Sequence, residues 1–180
     1  MNDAEQIQDR HLAELTRLES IAEEMGYPTE LIKRSGEIAY HTLLLGLEPD
    51  AGGRAKQLAL NFYPLSKEDV EHSLFLQYFV DLPIVADEDG LARIREVLPD
   101  MNNKVILGHF GIGAGTQRLH YRYVQTLPAD EMVTLEAVAD VILMTGYTPM
   151  VFEGLLEELA QGTISVEEAR ARVEGVYADA

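Results

Sequence analysis

Apolar residues recur at spacings of three and four, or their sums, from Ile7 through Leu15, Leu18, Ala22 and Met25, with glutamates and arginines between them. That spacing lines up one apolar stripe, so residues 4–25 are predicted to be helical, with Gly26 as the stop. Tyr27-Pro28-Thr29 reads as a short connection, and Thr29 is expected to cap one further turn through Leu31 and Ile32. From Glu37 the period becomes strand-like. Ile38 to Leu47 and Gln57 to Tyr63 predict the two arms of a hairpin around the turn-forming run Pro49-Asp50-Ala51-Gly52-Gly53. Ser66-Lys67-Glu68-Asp69 resembles a short capped turn. Leu74 to Val80 is apolar at both parities, which predicts a third strand in the middle of the sheet.

In the second half, Asp87-Glu88-Asp89-Gly90 opens a predicted helix carrying Leu91, Ile94, Val97 and Leu98 and ending before Pro99. Val105 to Ile112 and Arg118 to Thr126 predict a second hairpin around Gly113-Ala114-Gly115-Thr116. With those four residues as the loop, Ile112 pairs with Gln117, Phe110 with Leu119, Gly108 with Tyr121 and Ile106 with Tyr123. One face is then aliphatic and aromatic, while the other carries His109, Arg118, His120 and Arg122. The rest is predicted helical. A stretch from Asp130 is broken at Gly146-Tyr147-Thr148-Pro149, where Thr148 suits an N-cap and Pro149 the first helical position. The next stripe ends at Gly162, and Ser165-Val166-Glu167-Glu168 is a capping box for a last, polar helix. No repeat, linker or charge block divides the chain. The expected fold is a single α+β domain over residues 1–180, a twisted antiparallel sheet of about five strands flanked by helices.

Charge narrows the function classes. The formal net charge is −17, from 31 acidic and 14 basic side chains, and such a surface repels phosphate backbones and anionic lipid headgroups. Nucleic acid and membrane are therefore not expected as partners. The polar, acidic start and the absence of a long uninterrupted apolar run point to the cytoplasm. The chain has no cysteine, which removes disulfides, thiolate metal sites and cysteine nucleophiles.

Catalytic fingerprints are missing as well. The glycine-rich run Gly108 to Gly115 lacks the Lys-Ser/Thr pair of a phosphate loop and runs from a strand into a turn. His109 and His120 are the histidine pair that the hairpin brings together, but two imidazoles without an identifiable third ligand make a weak metal site. His11, His41 and His72 read as surface or partly buried side chains. Glu23-Glu24, Glu157-Glu158 and Glu167-Glu168 read as solvated faces. No catalytic, cofactor or metal residue is assigned. The candidate interaction face is His109, Arg118, His120 and Arg122.

The helix before Asn102-Asn103-Lys104, the strand Leu107-Gly108-His109-Phe110-Gly111-Ile112, the return Leu119-His120-Tyr121-Arg122-Tyr123 and the apolar helices after it resemble the YbjN-like family. That family is described as bacterial sensory transduction regulators, and the resemblance is best over residues 91–162. It implies a fold similar to type III secretion chaperones, and regulation or chaperoning through contacts with another protein, often as a homodimer. It brings no catalytic residues and no cofactor. Two alternatives stand beside it: a dedicated type III secretion chaperone holding an effector segment, and a metal- or small-ligand-dependent enzyme centred on His109 and His120.

Overall fold

The computed structural model of the chain describes residues 3–50, 52–65 and 70–176. Within them the chain forms an α+β fold, a six-strand antiparallel sheet flanked by four helices. The elements run α1 (Asp3–Glu24), β1 (Thr29–Ile32), β2 (Thr42–Leu47), β3 (Lys56–Phe62), β4 (Ser73–Asp81), α2 (Glu88–Lys104), β5 (His109–Ile112), β6 (Leu119–Pro128), α3 (Leu135–Gln161) and α4 (Val166–Gly175). Sheet order is β1-β2-β3-β4-β6-β5, so β5 is an outer strand and β6 lies inside it. The turn expected at Ser66 to Asp69 lies outside the described residues.

The core is built on one side of the sheet. Leu43, Leu45, Leu58, Leu60, Leu76, Tyr78, Val80 and Tyr121 are all fully buried there. Against them pack Leu15, Leu18 and Ala22 of α1, Ile94 and Val97 of α2, and Val138, Ile142, Phe152 and Leu156 of α3. Burying a leucine of this kind stabilises the fold by about 2 kcal/mol, so the apolar stripes of the helices hold them to the sheet. Gly26, at φ 89°, ends α1 while the Tyr27 N–H closes back on the Ala22 carbonyl at 3.0 Å.

Several expectations are corrected. Thr29 to Ile32 is a strand, not a helical turn, because its backbone pairs with Leu45 to Thr42. α2 continues through Pro99 to Lys104, and α3 runs unbroken through Gly146 and Pro149. Pro149 leaves the Thr145 carbonyl without its helical donor. Thr148 is buried inside the helix rather than capping a new one. The unbroken α3 is long and apolar enough, by length and composition, to cross a membrane, although its inner face is packed on the sheet. The β5–β6 register is offset by two residues from the expected one: Phe110 pairs with Tyr121 and Ile112 with Leu119. An even offset preserves parity, so both faces keep the expected side chains. Gly108 stands outside β5 at φ 69°, and Ile106, expected opposite Tyr123, is 67% exposed.

Polar groups fasten the sheet to α3. Lys56 and Glu153, both buried, form an ion pair at 2.8 Å. Arg54 binds Asp50 in the β2–β3 turn, Glu157 on α3 and the Pro83 carbonyl. Burial opposes ionisation of Asp50, but hydrogen bonds from the Arg54 backbone and side chain prevail and hold its pKa below the usual carboxylate value.

Candidate functional site

On the side of the sheet opposite the core, the strand residues are half-buried or exposed rather than enclosed. One row runs across the whole sheet as Glu30, Leu44, Ala59, Phe79, Arg122 and His109, each paired with its neighbour. Leu44, Phe75, Phe79 and Val124 lie on this face, and none belongs to the core cluster. β4 stands inside the sheet as expected, between β3 and β6, but its outward side chains are not enclosed. Leu76, Tyr78 and Val80 face the core, and Phe75, Gln77 and Phe79 face outward.

The four sequence-predicted residues converge at the β4–β6–β5 end of this open face. Asp81 pairs with His120 across β4 and β6, and Gly111 pairs with His120 across β5 and β6. Arg118, in the loop leading into β6, forms an ion pair with Asp81. The His120 ring stacks on Phe79, with centroids 5.1 Å apart and planes 23° apart. On its other side, a Cβ placed on Gly111 would come within 2.8 Å of His120 Nε2, so the absence of a side chain at Gly111 gives the imidazole its place. Burial lowers the His120 pKa, outweighing a hydrogen bond to the Arg118 backbone; His109 and Arg122 lower it further, while Asp81 opposes them. His120 is accordingly uncharged at neutral pH. His109 is exposed at the rim.

Arg122 anchors a network that the hairpin alone did not reveal. Its Nε donates to Gln77 Oε1 at 2.7 Å, and a terminal nitrogen donates to the Tyr63 hydroxyl. Tyr63 also donates to Gln77 Oε1 at 2.7 Å, and Gln77 Nε2 donates to Asn61 Oδ1 at 3.1 Å. The guanidinium lies 5.8 Å from the centroid of the Tyr63 ring. The sequence signal for these partners is the placement of Asn61 and Gln77 at outward parity within otherwise apolar strands.

The remaining candidates fall elsewhere. His11 is buried on α1 and stacks on Phe62 with centroids 5.1 Å apart, while His72 is exposed. The glutamates read as solvated are in part engaged. Glu157 pairs with Arg54, Glu158 with Arg172, and Glu168 closes the capping box with Ser165. Among the described residues no group of three or more His, Cys, Asp or Glu side chains gathers to hold a metal ion. No protein-family model matches the chain, and a search of curated proteins finds no matching relative.

Proposed function

We propose that this chain is a non-enzymatic protein-binding factor of the cytoplasm, a YbjN-like regulator or chaperone-like protein that receives its partner on the open sheet face. The observation that carries this proposal is the one-sided sheet. Leu44, Phe75, Phe79 and Val124 are apolar strand residues outside the core, among polar groups already oriented by mutual hydrogen bonds. Apolar side chains interleaved with held polar groups are the composition of a recognition surface, and rigidity lowers the entropy cost of docking. Toward its β4–β6–β5 end the face carries one cation beyond its paired charges, within an acidic chain: Arg122, beside Arg118 paired to Asp81. An acidic or mixed partner surface suits it better than a basic one.

The test is quantitative capture from the native host with wild type, Phe79→Asp and Arg122→Glu on the face, and Arg95→Glu on α2 as a control. Recovery of one partner should fall roughly tenfold or more for both face variants and stay level for the control. If every recovered protein responds equally to all three variants, the proposal fails.

The dedicated secretion-chaperone alternative, with an extended client added as a strand, meets an obstacle at β5. There the Phe110 N–H donates to Asn102 Oδ1 at 2.7 Å, and Asn102 Nδ2 donates to the Phe110 carbonyl at 3.0 Å. One side chain thus occupies the outward backbone groups of that edge residue.

A further inference from the structure

On the core side of the sheet, away from the open face, the first turns of α1 leave a cleft beside the start of β4. Its volume is about 280 Å³, close to the lower end of small-molecule sites. Ile7, Leu65, Val70 and Leu74 give it apolar walls, and Arg10 and His11 reach it from α1. Ile7, Arg10 and His11 are three and four residues apart, so one face of the helix delivers all three. Main-chain pairing holds the opposite wall in place. The Ala129 N–H donates to the His72 carbonyl at 3.0 Å, and a terminal nitrogen of Arg10 donates to the Ala129 carbonyl.

Two groups in this cleft are left incomplete by the fold. His11 is 3% exposed and its ring stacks on Phe62, yet among the described residues its imidazole makes no hydrogen bond. A buried polar ring ordinarily has a partner. Arg10 beside it is a half-buried cation that forms no ion pair with any described residue, and the Ala129 carbonyl engages only part of its fork of donors. Burial, helped by Arg10 and His41, lowers the His11 pKa to about 4, so at neutral pH the ring is uncharged and offers one N–H donor and one acceptor. From this pair and the walls around it we infer that the cleft binds a small organic monocarboxylate. Its hydrocarbon body lies between Ile7, Leu65, Val70 and Leu74, and its carboxylate rests on the Arg10 guanidinium and the His11 N–H. Such a ligand supplies what each group lacks, an anion for the guanidinium and an acceptor for the imidazole. A purely apolar ligand would leave both without partners, and Arg10 opposes a cationic one. One guanidinium beside a neutral ring matches a single negative charge, and Glu71 at the rim disfavours the larger charge of a phosphate. The sheet separates this cleft from the proposed recognition face, since Leu74 packs toward the core while Phe75 and Phe79 point the other way. The inference is therefore independent of what binds that face.

Isothermal titration calorimetry of the intact chain with octanoate at neutral pH tests the inference. Octanoate should bind saturably, with one site per chain. Octanol, which has the same hydrocarbon body without the charge, and inorganic phosphate should each bind at least roughly tenfold more weakly. Arg10→Gln should weaken octanoate binding roughly tenfold, through loss of the charge-assisted pair, and Val70→Trp should abolish it by filling the cleft. Phe79→Asp on the open face should leave it unchanged. In proton NMR the His11 imidazole resonance, identified by its loss in His11→Gln, should shift in step with saturation. Absence of saturable octanoate binding at millimolar concentration overturns the inference. So do octanol or phosphate binding as tightly as octanoate, a folded Arg10→Gln that binds like wild type, and binding lost with Phe79→Asp. Saturation that leaves the His11 resonance unmoved would place the ligand elsewhere, and would also overturn it.

Discussion

Gly108 occupies a position that no other residue can take without strain. Its φ of 69° is left-handed, and an added Cβ would lie 2.5 Å from the Arg122 carbonyl oxygen and 3.0 Å from the Tyr121 hydroxyl. The first obstacle is backbone and cannot rotate away. Tyr121, directly beneath, donates its hydroxyl to the Leu107 carbonyl, so the turn into β5 and the buried ring fix each other. Gly108→Ala should therefore destabilise the fold by about 3 kcal/mol in urea unfolding, combining left-handed strain with the clash. The sequence already set Gly108 against Tyr121, where the lack of a side chain makes room for the ring. That it does so from outside the strand, by lying close to the tyrosine rather than pairing with it, follows from the observed register.

At the scale of elements, α2 and β5 are joined by Asn102. A single amide satisfies both backbone groups of Phe110 and so protects the β5 edge, in the way a further strand would. Asn102→Ala should lower stability by about 2 kcal/mol, the cost of leaving a partly buried donor and acceptor without partners. Hydrogen exchange should show the Phe110 amide losing protection more than the Tyr121 amide beside it. Asn102→Asp keeps the acceptor but sets a carboxylate oxygen against the Phe110 carbonyl, so it should not restore the lost stability. Helix ends and capping boxes were readable locally: Ser165 and Glu168 close theirs at 3.2 and 2.9 Å as the spacing implies. Helix continuity through Pro99 and Pro149 was not, since packing of residues on both sides of each proline outweighs one lost hydrogen bond.

For the whole molecule, His11 couples the docking of α1 to pH. It is 3% exposed against Phe62, and burial, helped by Arg10 and His41, lowers its pKa to about 4. The unfolded chain, at about 6.5, binds the proton more readily. Stability attributable to His11 is thus full above pH 6.5 and is lost as the pH falls through the folded pKa, amounting to about 3 kcal/mol. Urea unfolding at a series of pH values should show this slope between pH 6.5 and 4 in wild type. In His11→Gln the slope should be largely gone, with carboxylate titration confined to lower pH. A slope unchanged in the variant would place the acid sensitivity elsewhere.

The alternation of apolar residues determined by itself that this chain builds an antiparallel sheet with helices. It also placed His109, Arg118, His120 and Arg122 toward one end of one face, because strand parity is a local property and survives an even register error. Tertiary structure decided what parity cannot express: that Thr29 to Ile32 joins the sheet as an edge strand, and that the helices lie on one side of it. It also determined that Lys56 and Glu153 meet in the core and that Arg122 finds Tyr63 and Gln77. Those outcomes depend on which residues distant in sequence come to face each other, and a local pattern of apolar and polar positions carries no record of that.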